Sequence, residues 1–224
     1  LNMKPQMAYQ VEAWGDYSNR IHDYTDLGIP QRMDSERGAA LRRMVDPFEY
    51  RDALTMPKLI VLGTNDPYWP VDALRHYWDD LPAPKRVTYV PNAGHGLGGN
   101  LPRVIGGLIA LHRAAGGTLE LPELQWRHEQ DSKTIRLTVR SSREPASVTA
   151  WAAMSENRDF RDATWRAHRL TRAADRYTYE TPRPTDGYLA VFAEAGFADV
   201  MPAYYLSTTL QVIEPPTENP PSRD

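Results

Sequence analysis

Apolar residues in the first half of the chain recur with the spacing of helices and of short buried strands. Helical spacing predicts segments around Met7–Trp14, Arg20–Leu27 and Arg37–Val45, interrupted by Gly and Pro. A short apolar and β-branched run over Met56–Gly63, with no alternation, predicts a strand buried on both faces, and Arg86–Val90 predicts a second one. Strands with this pattern are typical of parallel sheets.

Two further helices are predicted beside these strands. Val71–Leu81 and Leu101–Ala115 both have helical apolar spacing, and Gly116-Gly117 closes the second in the manner of a helix C-cap. The order helix, strand, helix, strand, helix predicts an open α/β sheet with right-handed crossovers over residues 1–118.

After residue 118 the pattern changes to short alternating or β-branched runs separated by turn residues. In Ile135–Arg140, apolar side chains alternate with polar ones, as in a sheet with one solvated face. Recurrence of such runs about every 8 to 12 residues predicts an all-β, immunoglobulin-like sandwich over residues 119–214. The prolines among polar residues at 215–224 predict an extended tail. The seven predicted strands are Leu124–Glu129, Ile135–Arg140, Ser147–Met154, Thr164–Leu170, Arg176–Thr181, Tyr188–Glu194 and Tyr204–Ile213.

Composition excludes several classes of function. The 26 basic and 29 acidic residues give a net charge of −3, which disfavours nucleic acid and anionic lipid as partners. The absence of cysteine excludes disulfides, thiolate nucleophiles and zinc sites with Cys ligands. The longest apolar stretch, Val104–Leu111, is shorter than the roughly 20 residues that a membrane-spanning helix needs, so no transmembrane segment is predicted.

Two polar residues follow the two predicted parallel strands. Asp66 lies in Gly63–Pro67 directly after the first strand, and His95 lies in a glycine-flanked loop after the second. Because the carboxyl ends of neighbouring parallel strands meet at one edge, these side chains are expected to lie close together. An acid followed by a histidine matches the chain order of the last two members of an α/β-hydrolase triad, in which the acid orients the imidazole and the imidazole acts as general base.

Simpler interpretations of the same residues exist. Asp66 is also suited to form a turn, and Asp72 is a rival acid whose place near a predicted helix start has a structural explanation. Several aromatic residues are suited either to line a substrate pocket or to pack in the core. They are Trp14, Tyr17, Tyr24, Tyr68 and Trp69.

A nucleophile and a metal site are both missing from the pattern. None of the nine serines has glycine two residues before it, so no Gly-x-Ser-x-Gly elbow is present. The remaining histidines show no ligand spacing, and neither a metal nor a cofactor is predicted. They are His22, His76, His112, His128 and His168.

Several motifs along the chain carry a family resemblance. They include Met7–Gly15, Asp23–Gly28, Val45–Phe48, Pro57–Ile60, Gly63–Asp66, Tyr77–Pro82, Pro91–His95 and, in the second half, Gly187–Glu194. With these motifs the sequence resembles the PhoPQ-activated pathogenicity-related proteins. The resemblance covers nearly the whole chain and implies an α/β-hydrolase fold related to serine esterases and peptidases.

The resemblance also implies a function and a location. It implies a secreted or periplasmic hydrolase of a small ester or peptide substrate, with Asp66 as triad acid and His95 as general base. The family's serine, in a Gly-x-Ser-Lys-Arg-Gly-like elbow, has no counterpart here, so we expect this chain to be the C-terminal part of a longer enzyme and inactive alone. The alternatives are a non-catalytic cell-envelope binding module and an inactive fragment. The oligomeric state stays open.

Overall fold

The computed structural model describes residues 2–216, so most of the predicted tail at 215–224 lies outside the described residues. In the first half, helices form in most of the segments where the apolar spacing predicts them, and the last one has the predicted bounds, Leu101–Ala115. The helices are α1 (Met3–Trp14), α2 (His22–Thr25), α3 (Ile29–Arg32), α4 (Glu36–Val45) and α5 (Leu101–Ala115), and short 3₁₀ helices cover Asn19–Ile21, Pro47–Ala53 and Ala73–His76.

The helix predicted over Val71–Leu81 is wrong in its length. Only the 3₁₀ turn Ala73–His76 forms there. Asp72 stands at its N-cap position but makes no capping bond, because its carboxylate accepts the hydroxyl of Tyr9 instead. Without that cap the helix start is not stabilised, although Leu74 still packs into the core.

Eleven strands in the described residues form two sheets, and the runs predicted after residue 118 all contain strands. Their bounds are β1 (Lys58–Gly63), β2 (Lys85–Val90), β3 (Leu124–Gln130), β4 (Thr134–Ser141), β5 (Ser147–Ser155), β6 (Arg166–Arg169), β7 (Arg172–Ala173), β8 (Arg176–Pro182), β9 (Tyr188–Phe197), β10 (Tyr204–Ser207) and β11 (Gln211–Ile213). One sheet has the order β1-β2-β10-β9-β5-β6 with β11 also paired to β9, and the other has the order β3-β4-β8-β7.

The expected fold class, an α/β-hydrolase sheet followed by a separate immunoglobulin-like sandwich, is wrong. Strands β1 and β2 are parallel, but the other edge of β2 pairs antiparallel with β10 from the C-terminal half. Ser207 faces Val87 in this pairing, and the Ser207 hydroxyl accepts the backbone N–H of Tyr89 at 3.0 Å. The two parallel strands are thus one margin of a mixed, mostly antiparallel sheet.

The core is shared by the two halves of the chain. Val87 and Tyr89 of β2 pack with Phe192 of β9 and with Trp165, which precedes β6. The second sheet packs on the other face of the large sheet. There Leu137 of β4 is fully buried in a cluster with residues of β5 and β9. This face-to-face packing is that of a β-sandwich. The domain division at residue 118 stays a prediction.

Helix α5 packs against β1 and β10 of the large sheet. It approaches closely at Gly106, where an added Cβ would lie 2.2 Å from the carbonyl oxygen of Ala203. Among residues 2–216, none of the helices has the length and apolar character needed to cross a bilayer.

Candidate functional site

The parallel pair β1–β2 brings the two predicted site residues to one edge of the sheet. The strands run in register from Lys58 opposite Lys85 to Gly63 opposite Val90. The loops that follow are in close contact, since an added Cβ at Gly63 would lie 2.4 Å from the carbonyl oxygen of Ala93. Only glycine fits at this crossing of two backbones.

Asp66 and His95 form a hydrogen-bonded pair in these loops. The Nδ1–H group of His95 donates to Oδ2 of Asp66 at 2.9 Å. The Asp66 side chain is 15% exposed and the His95 side chain is 57% exposed, so the acid is largely covered while the imidazole reaches solvent. In the described part of the chain, Nε2 of His95 has no protein hydrogen-bond partner. That nitrogen is free to accept a proton.

Asp66 is a turn former and the partner of His95 at the same time. Its Oδ1 accepts the backbone N–H of Tyr68 at 2.7 Å, which closes an Asx turn, while Oδ2 faces His95. The Tyr68 ring lies against the imidazole with 4.2 Å between ring centroids. Each carboxylate oxygen therefore has one partner, and the imidazole is held by a bond at Nδ1 and by a ring on its face.

The loop that carries Asp66 is fixed from the helical side. The Gln10 side-chain amide donates to the carbonyl of Tyr68 at 2.6 Å, and the Ser18 hydroxyl donates to the carbonyl of Pro67 at 2.6 Å. Ser18 N–H in turn donates to the Gln10 side-chain oxygen at 2.8 Å. Because Gln10 and Ser18 are both buried, the turn around Asp66 is held by bonds shielded from water.

A cavity of about 210 Å³ borders the pair and includes both Asp66 and His95 in its wall. Its other lining side chains are mainly apolar, with Trp69, Leu74 and Tyr77 among them. An apolar hollow beside a few polar groups is the usual form of a small-molecule site.

The rival acid is engaged elsewhere. Asp72 is buried and accepts the Tyr9 hydroxyl at 2.7 and 2.8 Å, and Arg158 lies 3.4 Å from its Oδ2 atom. Burial is the main cause that raises the pKa of Tyr9, and the Asp72 charge adds to it. This network joins α1 to the loop after β5 and contains no contact with His95.

The remaining aromatic candidates divide between the site and the core. Tyr68 contacts His95 and Trp69 lines the cavity, whereas Tyr17 packs with the apolar side chains of α1. Trp14 packs beside Tyr9 and lies 4.2 Å beneath the Arg161 guanidinium, and Tyr24 is exposed.

Other histidines and metal ligands do not add a second site. Burial lowers the pKa of His76 and of His128, so both favour the neutral form. Within residues 2–216, no three or more His, Asp or Glu side chains are grouped so as to hold a metal ion. No serine in that range hydrogen-bonds to His95, and Ser222 lies outside it.

Sequence reasoning missed two asparagines beside the pair, Asn65 and Asn92. Their side chains bond to the backbone of residues 160–165. The partners lie more than 70 residues away along the chain and are backbone groups, so no local pattern could identify them.

Comparisons with known proteins place the chain among relatives. It is 30% identical over 220 residues to the autocrine proliferation repressor protein A of Dictyostelium discoideum, a match that covers 88% of this chain and 44% of that protein. The chain thus spans less than half the length of this curated relative.

Solved structures are similar only at a low level. A carbohydrate-binding module family 56 β-1,3-glucan binding domain matches 41% of this chain and 99% of its own chain, with 14% identity and a TM-score of 0.30. The laminaripentaose-producing β-1,3-glucanase of glycoside hydrolase family 64 from Paenibacillus barengoltzii matches 41% of this chain and 20% of its own, with the same identity and TM-score.

Residues 1–161 match the family model described as PhoPQ-activated pathogenicity-related protein. The matched segment contains Asp66, His95 and the helices that fix their loops. It ends within the loop between β5 and β6. Because it covers well over half of the sequence, the chain belongs to the PhoPQ-activated pathogenicity-related protein family.

Proposed function

We propose that the Asp66–His95 pair is the acid–base half of a hydrolytic site. The observation that carries this proposal is the 2.9 Å bond from His95 Nδ1 to Asp66, on an imidazole that is 57% exposed and lies at the edge of a cavity. A carboxylate bound at Nδ1 fixes the tautomer in which Nε2 is unprotonated and stabilises the imidazolium that forms when Nε2 takes a proton.

In the proposed reaction the nucleophile is a serine hydroxyl from a part of the protein outside these 224 residues. As the serine oxygen bonds to the carbonyl carbon, its proton passes to Nε2 of His95, and Asp66 stabilises the resulting cation. His95 then returns the proton to the departing alcohol or amine, which leaves an acyl-serine. A water molecule hydrolyses this ester by the same route, which restores the serine and the neutral imidazole.

The cavity favours an apolar group on the substrate. Trp69, Leu74 and Tyr77 present apolar surface next to the imidazole, and a volume of about 210 Å³ suits a short acyl chain or one amino-acid side chain. We propose an ester or a peptide bond flanked by such a group as the substrate class.

We further propose that the protein acts outside the cytoplasm. The name of its Dictyostelium relative describes an autocrine factor, which is a signal that leaves the cell.

A fluorophosphonate probe tests the hydrolase proposal, since it labels serines activated by a general base. The sample is the protein extended upstream of residue 1, with His95→Ala as the test variant. His22→Ala is the matched control, because His22 is 64% exposed and lies 3.2 Å from Asp23, outside the cavity. We expect labelling of the native and His22→Ala proteins and background labelling of His95→Ala. Equal labelling of all three, or labelling of none, would refute the proposal.

A second candidate function, binding without catalysis, is favoured by a cleft of about 470 Å³ in the sandwich. Residues of β5, β6, β8 and β9 line it, and none of them belongs to the loops of the Asp66–His95 pair. The rings of His168 and Tyr179 are 5.1 Å apart in this cleft, beside Arg166 and Thr181. Aromatic faces next to hydrogen-bonding groups suit the apolar face and hydroxyl rim of a sugar.

Calorimetric titration with a neutral oligosaccharide, laminarihexaose, tests this second candidate on the 224-residue chain. Saturable binding that is lost in Tyr179→Ala and kept in His95→Ala would support a binding module of the cell envelope. An absence of binding heat, or equal binding by Tyr179→Ala, would contradict it.

A further inference from the structure

The loop between β5 and β6 lies against both loops of the Asp66–His95 pair. Residues 160–165 of this loop, here called the bracket segment, present backbone groups to two asparagine side chains. The Asn65 side-chain amide donates to the carbonyls of Ala163 at 2.7 Å, Arg161 at 3.0 Å and Phe160 at 3.3 Å. Asn65 therefore gathers three carbonyls of this loop, of which the Phe160 carbonyl also accepts the Ala163 backbone N–H at 3.1 Å.

Asn92 makes a reciprocal pair of bonds with the same segment. Its side-chain NH₂ donates to the Trp165 carbonyl at 3.0 Å, and its side-chain oxygen accepts the Trp165 backbone N–H at 2.8 Å. An amide offers a donor and an acceptor side by side, so it copies the pairing of one strand residue with another. Asn92 also has a φ of 56°, a left-handed conformation that asparagine tolerates better than most residues.

The two asparagines are connected to each other through the buried Thr64. The Thr64 hydroxyl donates to the Asn65 side-chain oxygen at 2.8 Å and accepts the Asn92 backbone N–H at 2.8 Å. The Asn65 N–H donates to the Ala93 carbonyl at 2.9 Å. The side chains of Thr64, Asn65 and Asn92 are all hydrogen-bonded in this network, and satisfied polar groups of this kind rigidify a structure.

The bracket segment is itself firmly held by the core. Phe160 and Trp165, at its two ends, are each only 2% exposed. The Trp165 ring lies 5.6 Å from the ring of Phe192 in β9 and 6.2 Å from the ring of Phe160. Side chains packed this densely resist displacement, so the carbonyls between them form a fixed reference for both asparagines.

Asn65 directly precedes Asp66, and Asn92 lies three residues before His95. We propose that Asn65 and Asn92 are positioning residues for the proposed reaction, which tie the acid loop and the histidine loop to the bracket segment and so set the Asp66–His95 geometry. This inference rests on the proposed function for its catalytic consequence, while its structural consequence, the orientation of the His95 imidazole, is measurable without any substrate.

The variants follow from the contacts. Asn92→Gly removes both side-chain bonds and accepts the positive φ, and Asn92→Asp keeps the acceptor for Trp165 N–H but loses the donor. Asn65→Ala removes the three-carbonyl contact. Asn100→Ala is the matched control, because its side chain bonds only to the Gly98 carbonyl within the described residues.

The first readout is the tautomer of the neutral His95 imidazole, measured by nitrogen NMR on the 224-residue chain in alkaline buffer. We expect the native chain and Asn100→Ala to hold the Nδ1–H tautomer. Asn92→Gly and Asn65→Ala are expected to show both tautomers and to lose the hydrogen-bonded Nδ1 proton signal, with Asn92→Asp between them. One folded asparagine variant is enough to measure the tautomer, so the experiment can still be done if another variant does not fold.

The second readout is turnover of an activated ester by the protein extended upstream of residue 1. We expect kcat to fall about 10–100-fold in the asparagine variants, with KM changed less than about twofold, as for other positioning contacts. A native tautomer and native kcat in folded Asn92→Gly and Asn65→Ala would overturn the inference. A changed tautomer in variants of a protein that shows no turnover would uphold the inference and refute the proposed function instead.

Discussion

Gly63 marks the point where the loops of Asp66 and His95 cross, and Gly63→Ala is the sharpest test of that crossing. An added Cβ would lie 2.4 Å from the Ala93 carbonyl oxygen and 2.6 Å from that of Gly94. Ordinary contact begins near 3.4 Å, so the histidine loop has to retreat by about 1 Å. Both atoms to be moved belong to backbone, which cannot rotate away as a flexible side chain can.

The expected cost follows from this displacement. Overpacking of a close contact destabilises proteins by about 1–3 kcal/mol. The retreat also stretches the 2.9 Å bond from Asn65 N–H to the Ala93 carbonyl, whose net contribution is about 1 kcal/mol. For a chain of this size each kcal/mol lowers Tm by about 2–4 °C.

Urea denaturation and thermal unfolding of the 224-residue chain measure the effect of Gly63→Ala. Gly98→Ala is the matched control, because an added Cβ at Gly98 in the histidine loop meets nothing within 4 Å. We also expect Gly63→Ala alone to weaken the Nδ1 proton signal of His95. A free energy of unfolding for Gly63→Ala within about 0.5 kcal/mol of the control, with a native His95 signal, would refute the proposed close crossing.

Three further outcomes are expected. Burial raises the pKa of Tyr77 to about 12 from 10.0, so the stability due to its neutral form is complete below pH 10 and is lost as the pH rises toward 12. We therefore expect tyrosinate absorbance to rise over the same pH range in which circular dichroism is lost. A rise and a loss at different pH values would contradict the coupling of Tyr77 ionisation to unfolding. Arg103→Met leaves the buried Glu194 carboxylate without its cation and should cost about 3–5 kcal/mol near neutral pH in urea denaturation. Because burial raises the pKa of Glu194, that cost should shrink as the pH falls toward 4.5, and a cost independent of pH would be the contrary result. Tyr9→Phe removes the hydrogen bonds to Asp72 and should lower the free energy of unfolding by about 1.5–3 kcal/mol. An unchanged urea midpoint would contradict this prediction.

Local pattern predicted most of the regular elements. The apolar spacing over Leu101–Ala115 and the following glycines were enough to set the bounds of α5, since helix periodicity and C-caps are encoded within a few residues. The alternation in Ile135–Arg140 likewise predicted β4, whose alternate residues are buried. The helix over Val71–Leu81 failed because Tyr9, far away in sequence, takes the carboxylate that was expected near its start.

Pairing of strands was beyond the reach of the sequence. The sequence predicted strand β2 as the second buried strand of an open α/β sheet. Its second neighbour is β10, more than 100 residues later, and the bond from Tyr89 N–H to the Ser207 hydroxyl has no signature in either segment. A continuous apolar run indicates that both faces of a strand are covered, and it does not specify which segment pairs with either edge.

The sequence by itself determined which residues lie at the ends of β1 and β2, because apolar runs fix strands and the strands fix where their loops begin. It thereby placed Asp66 and His95 at one edge. Only the tertiary structure shows that Asp66 accepts hydrogen bonds from Tyr68 and His95 at the same time, and that Asp72 belongs to a separate network. Only the tertiary structure shows that residues 160–165 contact the loops of the site. These outcomes depend on contacts between segments distant in the chain, whose distances and angles are set by how the whole core packs.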